Sequence, residues 1–504
     1  MPKNKLSEWT KTKGLKFSRE KTVVIKFETR KRGEEPQLSL YNSNIQVRES
    51  TSYLGLIVDK RLSWRQHVES LRTKCIPAVN LLKHLSHLSW GADRTTLKLL
   101  YTALVQSKLD YGAQIYGKFR ANVLQRLNPI QNECLRACTG AFRSSPAVSL
   151  CTEAGVLPLE FSRDAICLKY FFKAHAHPNS LTHQAIVGKV EEDPSPGMEH
   201  IQSLLTEYRL TVPKILPSKI AADPPWIYPS AQICPFIGTR KNNHTDVEMR
   251  SEFLAHLGEH TTEHVYTDGS KSNQHVGFAA RFKDTISSGR LPGDASIFTA
   301  EMHAIKITLS NILNMNSENR RYTIFSDSQG VLLALRPDAG ASPIAEDIRA
   351  SLNYAKAKNI SIDFCWVPGH VGIKGNEEAD TAAKEASANE NYQFLDTAIP
   401  HTDMKRPVRE AITKAWRNKW LSLGQKGRKL REIKTDVNEW SSSYNKNRRI
   451  ETVLARLRIG HSNLTHSYLM QGHADPLECD RCRQPTTVKH ILLECRKFAP
   501  IRNK

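Results

Sequence analysis

The sequence predicts a multidomain, mainly α/β protein organised around a mixed five-stranded sheet with helices on both faces at residues 264–388. Three observations lead there. The chain has 504 residues, too many for one core, so two to four units are expected. Between 264 and 388, short β-branched and aromatic runs alternate with stretches of helical periodicity. Ahead of that region leucine stripes at helical spacing dominate, and the end of the chain gathers cysteines around a histidine.

Taken in order, the central region reads as strand, strand, strand, helix, strand, helix, helix, strand, helix. Segments 264–267, 276–282, 285–291, 322–326 and 360–367 are the expected strands. Segments 297–315, 328–335 and 344–358 are the expected helices, and an Ala-rich helix around Asp380 closes the set. Four carboxylates stand out by their settings. Asp268 ends the first strand and Asp327 the fourth. Glu301 lies at the start of an amphipathic helix, where Ile305, Thr308 and Ile312 follow on the same inward face. Asp380 shares a mixed face with Ala383, Lys384 and Ser387, so an inward orientation is allowed rather than required. A carboxylate on an apolar face is costly unless a cation meets it. All-carboxylate sites suit hard ions such as Mg²⁺ or Mn²⁺, and a pair of them can clamp both the attacking and leaving oxygens of a phosphodiester.

Five blocks carry a family resemblance: Tyr266-Thr267-Asp268-Gly269-Ser270, Thr299-Ala300-Glu301, Phe325-Ser326-Asp327-Ser328, Trp366-Val367-Pro368-Gly369-His370 and Gly375-Asn376-Glu377-Glu378-Ala379-Asp380. In this order the region resembles a ribonuclease H domain, in the variant carried by non-LTR retrotransposons of the Jockey or LINE type. The resemblance implies a ribonuclease H-like fold. It also implies that Asp268, Glu301, Asp327 and Asp380 bind two Mg²⁺ or Mn²⁺ ions and cleave the RNA strand of an RNA–DNA hybrid. His370 matches the family's mobile-loop histidine, a catalytic group that is not a ligand. Singly, each block has a plain structural explanation. Asp-Gly after a strand is commonly a turn, a Glu in a first helical turn complements the dipole, and Asp before Ser can cap a helix. Five together at these spacings outweigh those explanations.

Composition narrows the partners. A net charge of +21 fits a polyanion such as single-stranded or duplex nucleic acid. No apolar run is long enough to span a bilayer, and the first residues lack the apolar stretch of a signal peptide. The expected setting is therefore cytoplasmic or nuclear rather than secreted or membrane-bound. The ten cysteines are then expected to be reduced, with Cys75, Cys134, Cys138, Cys151, Cys167, Cys234 and Cys365 as plain buried residues.

Six segments are expected. Residues 1–60 carry strand-like runs at 21–27, 45–47 and 54–58. Leu15-Lys16-Phe17-Ser18 with Lys21-Thr22, then Tyr53-Leu54-Gly55 with Asp59, Leu62, Trp64 and His67, resemble the last palm motifs of a non-LTR reverse transcriptase. The paired aspartates of that family's Tyr-x-Asp-Asp motif do not occur here, and Asp59 matches a position without a catalytic role. Reverse transcription is accordingly not expected of this chain. Residues 61–175 read as a helical thumb and connection, with stripes at Leu81, Leu82, Leu85 and Leu88, at Leu97, Leu100 and Leu104, and at Val123, Leu127, Ile130, Cys134 and Cys138. Pro129 is expected to kink the last of these. Residues 176–263 are a proline-rich linker with local structure near 198–210 and 245–258. After 264–388 comes a basic helical connector, 389–470. From Lys405 to Arg458 there are sixteen Lys and Arg against five Asp and Glu, with Trp416, Trp420, Trp440 and Tyr444 interleaved. Such a pattern suits stacking on unpaired bases, although Trp416 and Trp420, one turn apart, are better explained as a small core.

The final segment, 471–504, offers Cys479, Cys482, His490 and Cys495. Three thiols and one imidazole make a closed tetrahedral set for one structural Zn²⁺, and the pattern resembles the zinc module that follows the ribonuclease H domain in these retrotransposon proteins. The whole reads as part of a retrotransposon polyprotein with a hybrid-cleaving nuclease. The alternatives are a catalytically silent nucleic-acid-binding remnant and a DNA-cutting enzyme of the same fold.

Overall fold

The computed structural model describes residues 9–18, 20–27, 37–41, 43–117, 121–187, 196–218, 232–233, 245–257, 262–272, 275–283, 285–315, 320–336, 338–339, 342–441, 447–472 and 476–502. Cys234 and Tyr444 lie outside these residues. The chain forms two compact units: Leu168–Ala411, and a second made of Met1–Cys167 together with Ile412–Lys504. No helix among the described residues is long and apolar enough to cross a membrane.

The first unit is built on a mixed sheet. Its labelled elements are β1 (Gln232–Ile233), α1 (Asp246–Leu257), β2 (Glu263–Lys271), β3 (Val276–Phe282), β4 (Thr285–Leu291), α2 (Ile297–Asn314), β5 (Arg321–Ser326), α3 (Gln329–Ala334), α4 (Pro343–Ala357), β6 (Ser361–Trp366) and α5 (Lys374–Ala388). The strand order is β4-β3-β2-β5-β6-β1. β3 runs antiparallel to both β4 and β2, whereas β5 is parallel to β2 and β6. The five expected strands are present, and the two-residue β1 adds a sixth at the β6 edge. It comes from the segment expected to be only a linker.

Period-2 alternation sorts the sheet's side chains onto two faces. Val265, Ile324 and Phe364 pack with Met302, Ile305 and Leu309 of α2 and with Ile344 and Ile348 of α4. The next residues along, Tyr266, Phe325 and Cys365, face the other way and pack with Met249 and Phe253 of α1. α5 covers the remainder of that face, its Ala382 and Ala383 meeting Ala279 of β3. Small residues bring this helix close: a methyl group at Gly277 would stand 2.3 Å from Ala383 O.

The second unit is mainly helical, with small strand pairs ahead of the helices. The long helix Arg65–Leu85 buries Val68, Leu71, Cys75, Val79 and Leu82. The expected stripe is therefore displaced, because Leu81 and Leu88 are exposed and the helix ends before Leu88. Pro129 opens the helix Asn128–Thr139 instead of kinking it, as suits a residue whose missing N–H is not needed there. The strand expected at 54–58 is a hairpin, Ser50–Tyr53 against Leu56–Asp59, turning at Leu54 and Gly55. Asp59 has a structural task, accepting hydrogen bonds from the Arg61, Ser63 and Trp64 amides and so holding a turn with left-handed Leu62 and Trp64.

The segment expected as a connector divides between the two units, its residues up to Ala411 belonging to the first and those from Ile412 onward to the second. Trp416 and Trp420 are fully buried, the latter donating its indole N–H to Lys434 O at 3.0 Å. They are core and cannot stack on bases. Buried charge ties the two chain segments together. Arg94 pairs with Glu153 at 3.0 Å and with Glu439 at 3.4 Å, its backbone N–H donates to Glu451, and Arg458 reaches Glu153 from the C-terminal side. Removing one member of such a group leaves a buried charge uncompensated.

Candidate active site and a cysteine–histidine cluster

The sheet brings Asp268 and Asp327 side by side. Thr267 and Ser326 are the last paired residues of the parallel β2–β5 ladder, so the next residue on each strand is one of these aspartates. Asp327 follows the end of β5, as expected. Asp268 does not end its strand: β2 continues to Lys271, paired with β3 through Asp268↔Ala279 and beyond. The Asp-Gly step is thus strand, not turn. Gly269 is required because α2 crosses close above it: a methyl group there would come within 2.7 Å of Glu301 N. That closeness lets Glu301, in the second turn of α2, reach the strand ends. Ligand sites at the carboxyl ends of adjacent parallel strands are a general property of such sheets.

Asp268, Glu301 and Asp327 each place an oxygen within 4.8 Å of the other two. Asp268 and Glu301 are buried and Asp327 half-buried. Burial, then the charges of Asp327 and Asp380, push the Asp268 carboxyl up to about 8, against a smaller opposing pull from the Gly269 amide. Burial, then Asp268 and Asp327, hold the Glu301 carboxyl well above its ordinary range. Glu301 Oε2 is buried with no hydrogen-bond partner among the described residues. Asp380, on α5, approaches from the other face of the sheet. It is 13% exposed, bonded to Lys384 at 2.6 Å, and 3.7 Å from His370 Nδ1. His370 is 64% exposed, on the 367–373 loop after β6, with a left-handed φ of 61°. Its neighbour Gly369 lets the loop pass Asp327, whose Oδ2 would lie 2.6 Å from a methyl group there.

Three further residues matter here: Asp403, which lies outside every motif block, and Trp366 and Glu377, which lie inside blocks that assign them no role. Asp403 accepts from Ser296 N, Ser296 Oγ and Thr299 Oγ1, fixing the start of the helix that bears Glu301. Trp366 donates its indole N–H to Asp327 O at 3.0 Å. Glu377 accepts from Gly372 N. Only their spatial neighbours reveal them. The donor set of Asp268, Glu301, Asp327 and Asp380 is all oxygen, crowded and partly buried, and it fits hard divalent cations.

In the other unit, Cys479, Cys482, His490 and Cys495 offer ligand atoms within 4.8 Å of one another. Cys479 Sγ lies 3.6 Å and Cys482 Sγ 3.9 Å from Cys495 Sγ. A tight turn, closed by Arg483 N donating to Cys479 O, carries the first pair, and His490 opens a single helical turn that ends before Cys495. The His490 imidazole, then the Cys482 and Arg481 amides, draw the Cys479 thiol down to about 6. A ready thiolate among soft donors fits Zn²⁺.

A strand-end carboxylate cluster on a mixed sheet of this order is an arrangement able to hold divalent cations. Residues 260–388 match the RNase H family, and this part of the chain is an RNase H domain. The chain is similar to the RNA-directed DNA polymerase from mobile element jockey of Drosophila melanogaster, 26% identical over 34% of this chain and 19% of that protein. It is also similar to a retrovirus-related Pol polyprotein from a type-1 retrotransposable element R1 of Nasonia vitripennis, 26% identical over 27% of this chain and 35% of that one. A third relative is the probable RNA-directed DNA polymerase from transposon X-element of Drosophila melanogaster, 28% identical over 27% of this chain and 15% of its own length. The chain thus spans about a fifth to a third of the length of the first two relatives it matches.

Proposed function

We propose that the domain hydrolyses the RNA strand of RNA–DNA hybrids, and that Asp268, Glu301, Asp327 and Asp380 would hold two Mg²⁺ or Mn²⁺ ions. The observation that carries this reading is the convergence of Asp268, Glu301 and Asp327 on one point at the strand ends, with Asp380 beside them. Packed carboxylates raise one another's proton affinity, and this crowding has no purely structural benefit. When bound, the ions would activate the attacking water and stabilise the departing 3′ oxygen. The chain's own work is to hold four oxygens in register and to keep Lys384 on the outer side of Asp380. His370 stands at the open edge, able to turn towards the scissile phosphate and deliver a proton to the departing 3′ oxygen. The basic surface supplies affinity for hybrid, single-stranded or duplex nucleic acid without base readout. A single Zn²⁺ on Cys479, Cys482, His490 and Cys495 would be structural.

The test uses the full chain with an end-labelled RNA–DNA hybrid, with and without Mg²⁺. Cleavage of the RNA strand that requires the metal and disappears in Asp327→Asn is the expected result. Tight binding without cleavage would identify a catalytically silent remnant, and equal cleavage by Asp327→Asn would mean that the metal-site assignment is wrong. For the other cluster, protein prepared without chelator should carry one zinc by elemental analysis, released as pH falls and the thiolates protonate.

A further inference from the structure

Glu377 has no part in the scheme above, yet it sits at the junction of the loop and the site. It lies one helical turn ahead of Asp380 on α5, and its carboxylate, the His370 imidazole and the Asp380 carboxylate fall within 4.8 Å of one another. Its Oε1 accepts a hydrogen bond from Gly372 N at 3.2 Å. That amide belongs to the loop that carries His370, in which His370 and Gly372 are both left-handed, with φ of 61° and 79°. A non-glycine residue keeps that conformation only when its surroundings impose it. On the opposite side the loop is tied by Val371 and Ile373, buried with Met249 and Phe253 of α1. The apolar anchor fixes the depth of the loop, but a hydrophobic contact is not directional. Hydrogen bonds at Val367 and Ile373 hold the two ends of the loop, and the Glu377–Gly372 hydrogen bond is a directional tie at the turn itself.

We infer that Glu377 is a positioning residue: by holding the Gly372 amide it sets the turn that brings His370 to the edge of Asp380. The inference rests on the reading of His370 as a participant in hydrolysis. The experiment compares full-length parent, Glu377→Ala, Glu377→Gln, His370→Ala and the Glu377→Ala/His370→Ala double variant. Three quantities are read: amide exchange across 368–373 in metal-free protein, Mn²⁺ affinity, and kcat and KM on a hybrid. Glu377→Ala should speed exchange at Gly372 and lower kcat about tenfold, the worth of one hydrogen bond to a charged acceptor. KM and Mn²⁺ affinity should stay within about twofold, as for an interaction felt only in the transition state. Glu377→Gln keeps an acceptor oxygen and should recover most of the loss. In the His370→Ala background, Glu377→Ala should cost nothing further. Unchanged exchange, fully additive losses, or a fall in Mn²⁺ affinity that would make Glu377 a ligand each overturn the inference. A parent that leaves hybrids uncut refutes the proposed function, and the exchange measurement still decides the role of Glu377.

Discussion

At Asp268 burial and then two neighbouring carboxylates raise one proton's affinity, and they prevail over the opposing pull of a backbone amide. Its folded-state affinity is raised, so the folded protein holds a proton that the unfolded chain has already released above the ordinary carboxylate range. The stability tied to that proton is fully present at low pH and is lost as pH rises towards about 8. Metal-free protein should therefore show the melting temperature of its RNase H unit falling between pH 5 and pH 8, roughly the span between an ordinary aspartate and this one. Millimolar Mg²⁺ should flatten the trend, because cations replace the proton. A melting temperature that climbs over the same range would contradict the cluster's electrostatics. His370→Ala tests the opposite corner of the site. Turnover should fall by about 10²-fold or less, the range for one acid–base group, with Mn²⁺ affinity intact, and abolished metal binding would mean that the imidazole is a ligand. The four acids were legible in the sequence because each combines a costly residue type with a recognisable local setting. Asp403 and Glu377 were not, because what they do depends on amides brought near by folding: Ser296 lies 107 positions from Asp403.

Among the elements, α1 is marked in the sequence only as local structure near 245–258, and it forms a helix packed on the sheet. Met249 and Phe253, with Leu257 partly buried beside them, carry its apolar contact with the sheet, while Val247 and Leu254 are exposed. Its pattern therefore offers little amphipathic signal, enough for local structure near 245–258 but not for its place on the sheet. Phe253→Ala should nevertheless cost about 3–5 kcal/mol, the usual effect of deleting a core aromatic. The denaturant midpoint of the RNase H unit reports it, and a shift no larger than that of Leu254→Ala would show that α1 contributes little. Strands β3 and β4 are legible to the residue because a hairpin of two short runs is a local pattern. The helix Arg65–Leu85 was found, but its buried face was misassigned: four leucines near its end outweighed the true stripe of Val68, Leu71, Cys75, Val79 and Leu82, which mixes smaller residues.

On the scale of the whole molecule, charge and architecture must be separated. The basic stretch from Lys405 to Arg458 is partly internal: Lys434 and Arg448 are buried, and Arg448 caps carbonyls at Ala137 and Cys138. Deleting the stretch would remove Trp416 and Trp420 from a core, so its nucleic-acid affinity has to be tested by substitution. Replacing exposed Lys414, Lys426 and Arg449 by Glu should leave the fold intact. It should flatten log affinity against log salt by roughly 0.7–0.9 for each phosphate no longer neutralised, and an unchanged slope would assign those cations to solubility alone. Composition showed the charge surplus; only the fold shows which cations face inward. The buried group of Arg94, Glu153, Glu439, Glu451 and Arg458 also has a consequence in time. Its members emerge from the ribosome in two instalments, separated by the whole of Leu168–Ala411. At about 5–20 residues per second, Arg94 and Glu153 wait roughly 15–75 s for the last of their partners, Arg458. During synthesis the RNase H unit can close before the segment that precedes it, and the earliest helices of the chain are among the last to be finished.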